Sequence, residues 1–152
     1  MIRSESERTN VDKPLRLLHI DDDENDRFFL QRAVKTAEVP IQIEVATDGE
    51  RALTWLKSAA SLPDLILADI RMPRMSGLEF LEAVKQTDRR DVPVVMFSNS
   101  VYQGDVERAR ALGAKAYCVK PAGLAELVEF AKRLYGSWAR SELPCEWPGN
   151  GK

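Results

Sequence analysis

The chain has 152 residues, 44% of them hydrophobic and 30% charged, with a formal net charge of -2. That length suits one soluble globular domain with a real core. The slightly acidic balance argues against nucleic acid as a partner, because neutralising phosphates takes a clustered basic surface, and no apolar run approaches the length that spans a membrane.

Residues 1–14 are polar and charged, carry no signal-peptide core and read as a loose arm. Leu15 to Ile20 reads as a first strand that runs straight into Asp21, Asp22, Asp23 and Glu24. A helix N-terminus welcomes carboxylates. That accounts for Asp23, Glu24 and Asp26, and less well for Asp21 and Asp22 at the tip of an apolar strand. The helix that follows should turn Phe29, Leu30, Ala33, Val34 and Ala37 inward, with Pro40 ending it. Ile41 to Val45 alternates apolar and polar residues, which belongs at a sheet edge. Asp48 and Gly49 open a second helix with Ala52, Leu53 and Leu56 inward.

Leu65 to Ala68 is a short apolar run suited to a strand covered on both faces. It ends on Asp69. Pro73 bars both ladder and helix at Met72, and Ser76 and Gly77 can cap and turn the chain into a third helix. Val94 to Phe97 is a second doubly buried strand, ending on Ser98, Asn99 and Ser100. A helix from Gln103 to Leu112 closes on Gly113. Ala116 to Val119 makes a fifth strand, stopped by Lys120 and Pro121. The last helix carries Leu124, Leu127, Ala131, Leu134 and Trp138 in helical register. Residues 139–152 read as a tail. Cys118 and Cys145 form no close-spaced pair and read as reduced thiols rather than a disulfide or a metal site.

Five alternations of strand and helix predict an α/β, flavodoxin-like (βα)5 domain over residues 15–138, its parallel sheet ordered 2-1-3-4-5 with helices on both faces. The carboxyl ends of strands 1 and 3 flank the switch point, so Asp21, Asp22 and Asp69 should converge there. Like charges at about 4 Å repel by roughly 4 kcal/mol at an effective dielectric of 20. A hard divalent cation such as Mg2+ would relieve that repulsion most simply, with oxygen ligands; protonation of one carboxyl is the alternative. Lys120 supplies a mobile cation on the same rim and Ser98 a hydroxyl. This set suits phosphoryl transfer onto Asp69, a carboxylate able to form an aspartyl phosphate.

These residues resemble the response-regulator receiver domains of two-component signalling: Asp21 and Asp22 after strand 1, Asp69 followed by Met72, Pro73 and Gly77, Ser98 after strand 4, and Lys120 with Pro121 after strand 5. The resemblance covers about Leu15 to Tyr135. It implies that Asp69 accepts a phosphoryl group from a histidine kinase or phosphotransfer protein. It implies that Asp21, Asp22, Asp69 and the backbone carbonyl of Arg71 hold Mg2+. It also implies that Ser98, Lys120 and Tyr117 stabilise the phosphoryl group and relay a switch to the face built from helix 4, strand 5 and helix 5. Arg71 stands beside the site, placed to pair with the acidic patch, and with Asn99 and Ser100 it occupies positions that tune the site. The chain resembles stand-alone, cytoplasmic receivers, including small regulators served by phytochrome-like kinases. Trp138 and Trp147 bracket a tail that could order against a partner or a second copy of the chain.

Other functions fit less well. A magnesium-dependent phosphatase needs a second Asp two residues after the nucleophile, where this chain has Arg71. A flavin module holds phosphate on an uncharged loop after strand 1, and here that loop is acidic. A receiver-fold module that binds partners without phosphorylation is the remaining alternative to a non-enzymatic phospho-receiver.

Overall fold

A computed structural model describes residues 13–99 and 101–149. Strands and helices alternate: β1 (Leu15–Ile20), α1 (Glu24–Ala37), β2 (Ile41–Ala46), α2 (Gly49–Ser58), β3 (Leu65–Ala68), α3 (Gly77–Val84), β4 (Val94–Ser98), α4 (Gln103–Ala111), β5 (Ala116–Val119) and α5 (Leu124–Ala139). All strand pairs are parallel, in the order β2-β1-β3-β4-β5. The half-polar β2 takes one edge, as its alternation requires, and β5 takes the other. Most of residues 1–14 and the last three residues lie outside the described stretch, so the expected N-terminal arm does too.

The period of two along each strand divides the core into two layers. Leu18, Ile20, Ile66, Ala68, Val94, Met96 and Tyr117 face α2, α3 and α4. Leu15, Leu17, Leu65, Leu67, Val95, Phe97 and Cys118 face α1 and α5. Phe29 is the exception to the expected inward face of α1. It is 45% exposed, beside Phe28 at 55%, and the two rings meet edge to face with centroids 5.4 Å apart.

Side-chain caps fix where α1, α2 and α3 begin. Asp23 caps α1, accepting from the backbone N–H groups of Asn25 and Asp26. Asp48 caps α2 through Arg51 N–H at 2.8 Å. Ser76 and Glu79 form a reciprocal capping box on α3. Gly113 takes a φ of +92° just past α4, the left-handed conformation expected of a glycine ending a helix.

The cysteines and the tail differ from the expectation. Cys118 and Cys145 are joined in a disulfide, with Cα atoms 5.6 Å apart. They stand 27 residues apart in sequence, but the chain runs out along α5 and back, so the two ends of that loop meet. After α5 it turns at Ser141, whose φ is +59°, and residues 142–149 pack back on the domain. Sequence spacing hid this because α5 itself is 16 residues, about 24 Å of helix.

Gly77 opens α3 directly against the backbone of the preceding strand. A Cβ placed there would lie 2.0 Å from the carbonyl oxygen of Asp69, and Gly77 N–H donates to Ile70 O at 2.9 Å. Gly77→Ala is therefore expected to lower stability by ~2–4 kcal/mol, because backbone rather than a flexible side chain must yield. Urea unfolding checks this; a midpoint within error of wild type would show that the contact relaxes freely.

Candidate functional site

The register of the sheet builds the site. Ile20 lies opposite Ala68, so the residues that follow, Asp21 and Asp69, leave the sheet side by side. Asp69 N–H donates to Ile20 O at 2.9 Å and Asp21 N–H to Ala46 O at 3.1 Å, carrying the ladder past the last strand residues. On the other side, Ser98 pairs with Val119, and Lys120 N–H donates to Ser98 O at 2.7 Å. Four strand ends thus deliver Asp21, Asp69, Ser98 and Lys120 to one rim.

One carboxylate oxygen each from Asp21, Asp22 and Asp69 lies within 4.8 Å of the others. Asp21 is fully buried and Asp69 nearly so, while Asp22 is exposed at the mouth. Lys120 is not the mobile rim cation that the sequence suggests. Its side chain is only 6% exposed, and its ammonium is clamped at 2.8 Å from Asp21 Oδ2, 2.7 Å from Asp26 Oδ2 and 3.6 Å from Asp69 Oδ2. Burial pulls its pKa down, but the hydrogen bonds to Asp21 and Asp26 outweigh that and hold it above the usual lysine range. Three carboxylates share this one ammonium, with Asp22 beside them at the mouth.

Asp21 and Asp69 each have a second contact. Asp21 Oδ1 accepts from Asp23 N–H at 2.9 Å, and Asp69 Oδ1 from Ile70 N–H at 2.8 Å. Asp69 Oδ2 is left facing Lys120. Burial raises the pKa of Asp21 against the pull of Lys120. Asp69 is pushed up to about 6, chiefly by burial, with Lys120 opposing and Asp21 adding to it. Beneath them sits buried His19, held at about 3 and therefore neutral, again chiefly by burial. Neither of its ring nitrogens has a hydrogen-bond partner among the described residues.

The switch candidates lie one layer in. Tyr117 is 1% exposed, its hydroxyl bonded with buried Ser98, and burial raises its pKa. Arg71 lines the acidic cleft, but its guanidinium turns away from the acidic patch to pair with Asp105, at the start of α4, at 2.5 Å. Asp105, 11% exposed, gives a charge partner in a drier setting than the exposed patch offers. Three residues on, Arg74 reaches Asp48 at 2.7 Å, pinning the same loop to α2. Asn99 is exposed on the cleft wall; Ser100 lies outside the described residues. Sequence reading gave Asp26 only a place at a helix N-terminus and assigned Asp105 no role. Each is an acidic residue in the first turn of a helix beside the rim, the one signal that could have raised them.

The donor set fits a hard divalent cation: three carboxylate oxygens, one of them open to water, suit a cation that takes oxygen ligands and retains waters. A parallel sheet of order 2-1-3-4-5 carrying this acidic cluster at its switch point defines a receiver domain. A family model of the response regulator receiver domain matches residues 17–132, and the chain belongs to that family. The probable methanogenesis regulatory protein FilR2 of Methanothrix harundinacea is 30% identical over 143 residues, covering 89% of this chain and 92% of that protein. Response regulator Rcp1 of Synechocystis sp. is 27% identical over 131 residues, covering 82% and 89%. The structure of the phosphorylated cyanobacterial phytochrome response regulator RcpA superposes with a TM-score of 0.76 at 26% identity, over 90% of this chain and all of that one. The Mn(2+)-bound form of Rcp1 superposes with a TM-score of 0.73 at 25% identity, over 90% of this chain and 100% of that one. Receiver domains are in general signalling proteins, phosphorylated by kinases and in contact with histidine kinases or phosphotransfer proteins.

The raised Asp69 has a pH signature. A carboxyl whose folded value of about 6 lies above its ordinary 3.8 takes up a proton on folding between those limits, so its ionisation costs stability as pH rises through that window. In metal-free buffer Asp69→Asn should melt above wild type at about pH 7.5, by ~2–4 °C per kcal/mol relieved, and the gap should close toward about pH 4. Thermal melts across that range check this; a gap independent of pH would contradict it.

Proposed function

We propose that this chain is a phospho-receiver that accepts a phosphoryl group on Asp69 and signals through contacts with other proteins rather than by turning over a substrate. The observation that carries this reading is the position of Asp69 Oδ2, at 3.6 Å from the clamped ammonium of Lys120 and open to the cleft, while Oδ1 is occupied by Ile70 N–H. Oδ2 attacks the phosphorus of a phosphohistidine donor. The Oδ2–P bond forms as the P–N bond breaks, and the departing imidazole nitrogen keeps the electron pair and takes a proton from solvent. Lys120 then faces the new phosphoryl oxygens, and the Ser98 hydroxyl is placed to exchange its bond with Tyr117 for one to the phosphoryl group.

Asp21, Asp22 and Asp69, with the backbone carbonyl of Arg71, are the residues proposed to hold Mg2+, which when bound supplies positive charge to the transferring phosphoryl group. Asn99 and the Arg71 side chain border the place where water would approach, and Ser100 is proposed to tune the site with them. Loss of the Ser98–Tyr117 bond and the pull of a dianion on Arg71, away from Asp105, would both act on α4 and β5. The α4–β5–α5 face is thus the surface proposed to change. The donor is a cytoplasmic histidine kinase or phosphotransfer protein. An apolar hollow lined by Phe29, Leu30, Leu124 and Leu127 opens next to Lys120, between α1 and the start of α5, and offers that donor a seat. Whether the chain works as a monomer or a homodimer follows from how that face is used, and neither nucleic acid nor a membrane has a place in this reading.

Intact-mass spectrometry after incubation with acetyl phosphate tests the reading. A single magnesium-dependent, base-labile phosphoryl adduct is expected in wild type and none in Asp69→Asn. Labelling of Asp69→Asn at another residue would defeat the assignment, and no adduct from either acetyl phosphate or a kinase would leave a binding module that works without phosphorylation. Lys120→Ala should accept the group but fail to switch partner binding; equal activation of variant and wild type would count against that role. Phe29→Asp should slow transfer from a protein donor and leave acetyl phosphate labelling unchanged. Equal slowing by both routes would place Phe29 in the fold rather than in docking.

A further inference from the structure

The segment that follows α5 is bound along the open edge of the sheet. Ser141 N–H and Glu142 N–H donate back to Trp138 O and Ser137 O at 3.1 and 2.7 Å, turning the chain at the end of the helix. Pro144 is buried, and its carbonyl accepts from Arg133 Nε of α5 at 3.1 Å. Cys145 is bonded to Cys118 in β5 and packs with the core layer of α1 and α5. Trp147 packs against the opposite layer, where the Arg110 guanidinium of α4 lies 4.4 Å from its ring centroid. Gly149 ends against the start of α4: a Cβ built there would lie 2.9 Å from Gln103 Nε2. Residues 140–149 therefore touch α5, β5 and α4 in turn. Sheet edges are commonly covered by a loop, but this cover lies over the face assigned above to output, and it is covalently fixed one residue from Tyr117.

Chain entropy opposes ordering a short segment of this kind. Its non-covalent hold rests on a half-buried indole, a buried proline, one carbonyl, a turn and the packing of its two ends, and the disulfide adds to this by keeping the loop closed. In the reducing compartment where kinase-fed phosphotransfer takes place, a disulfide of this kind is made and unmade rather than permanent. That argument about compartment, and the assignment of output to this face, rest on the function proposed above; the placement of the segment does not.

We propose that residues 140–149 form a redox-locked strap: with the Cys118–Cys145 bond closed the α4–β5–α5 face is occupied by the chain itself, and with the bond reduced the strap lifts and the face becomes available to a protein partner. Opening needs a dithiol reductant. Its thiolate attacks Sγ of half-exposed Cys145, the S–S bond breaks, and buried Cys118 leaves as a thiolate that takes up a proton. The second thiol of the reductant then attacks the mixed disulfide, forming the reductant's own disulfide and releasing Cys145 as a thiol. Two electrons pass from the dithiol to the protein. Closing is the reverse exchange with a disulfide oxidant such as oxidised glutathione.

The test uses the full-length, unphosphorylated chain, read by thiol alkylation and by hydrogen exchange with mass spectrometry. After oxidised glutathione neither cysteine should alkylate, and amides of residues 140–149, β5 and the first turn of α4 should be protected. After dithiothreitol both cysteines should alkylate and that protection should be lost, with β1 and β3 unchanged. Cys145→Ser should give the unprotected pattern under both conditions. Trp147→Ala, with the bond intact, should lose protection on α4 alone. Alkylation of both cysteines after oxidation, a disulfide-linked dimer on a non-reducing gel, or exchange on α4 unaffected by reduction would each overturn the strap. No phosphate enters the experiment, so a failure to label Asp69 and a failure of the strap are separate results.

Discussion

The ammonium of Lys120 is the charge around which the crevice is arranged. Its 2.7 and 2.8 Å contacts join the end of β5 to Asp26 on α1 and to Asp21 at the end of β1, and Asp69 at the end of β3 stands 3.6 Å away. Four elements, β1, α1, β3 and β5, are therefore held to one point by a single buried cation. Removing it would leave buried carboxylates uncompensated, a loss larger than any surface ion pair would produce. Yet one ammonium does not balance four carboxylates, and Asp69, raised chiefly by its burial, is raised further by neighbouring Asp21 and Asp22 against the pull of Lys120. A site in that state still favours added positive charge, which a divalent cation would supply, and it leaves one oxygen of Asp69 facing Lys120.

The same loop that carries Asp69 is tied outward at two points. Arg71 pairs with Asp105 on α4, and Arg74 with Asp48 at the cap of α2. Gly77 presses α3 onto the Asp69 carbonyl. Ser98 and Tyr117 add a bonded pair that runs from the rim into the core layer shared with α4. A change of charge at Asp69 thus meets a set of specific ion pairs and hydrogen bonds rather than a compliant surface.

Much of this was legible in the chain. The apolar run of Leu65 to Ala68 between polar breaks suited a doubly covered strand, and the alternation in Ile41 to Val45 suited an edge, which gave the strand order. Strand order in turn brought Asp21, Asp69, Ser98 and Lys120 to one rim. Side-chain direction was another matter. Lys120 reads as a rim lysine from its neighbours, and only the depth of Asp21 explains its burial. Arg71 was expected to turn toward the acidic patch, but drier Asp105 competes better for it. The Cys118–Cys145 bond depends on a turn at Ser141, a non-glycine residue at positive φ that no local pattern announces. Phe29 fits the helical period of α1 yet stands exposed, because the neighbouring hollow is left open beside Lys120 rather than filled.

The central claim is that the crevice is short of positive charge and that Asp22, the exposed member, completes a cation site with Asp21 and Asp69. Thermal melts of unphosphorylated wild type and Asp22→Asn across a magnesium titration test it most directly, because a ligand that binds only the folded state raises the melting temperature by mass action. A saturable magnesium-dependent rise in wild type, much reduced in Asp22→Asn, is the predicted result. A wild-type melt that does not respond to magnesium, or one that responds equally in the variant, would contradict the account.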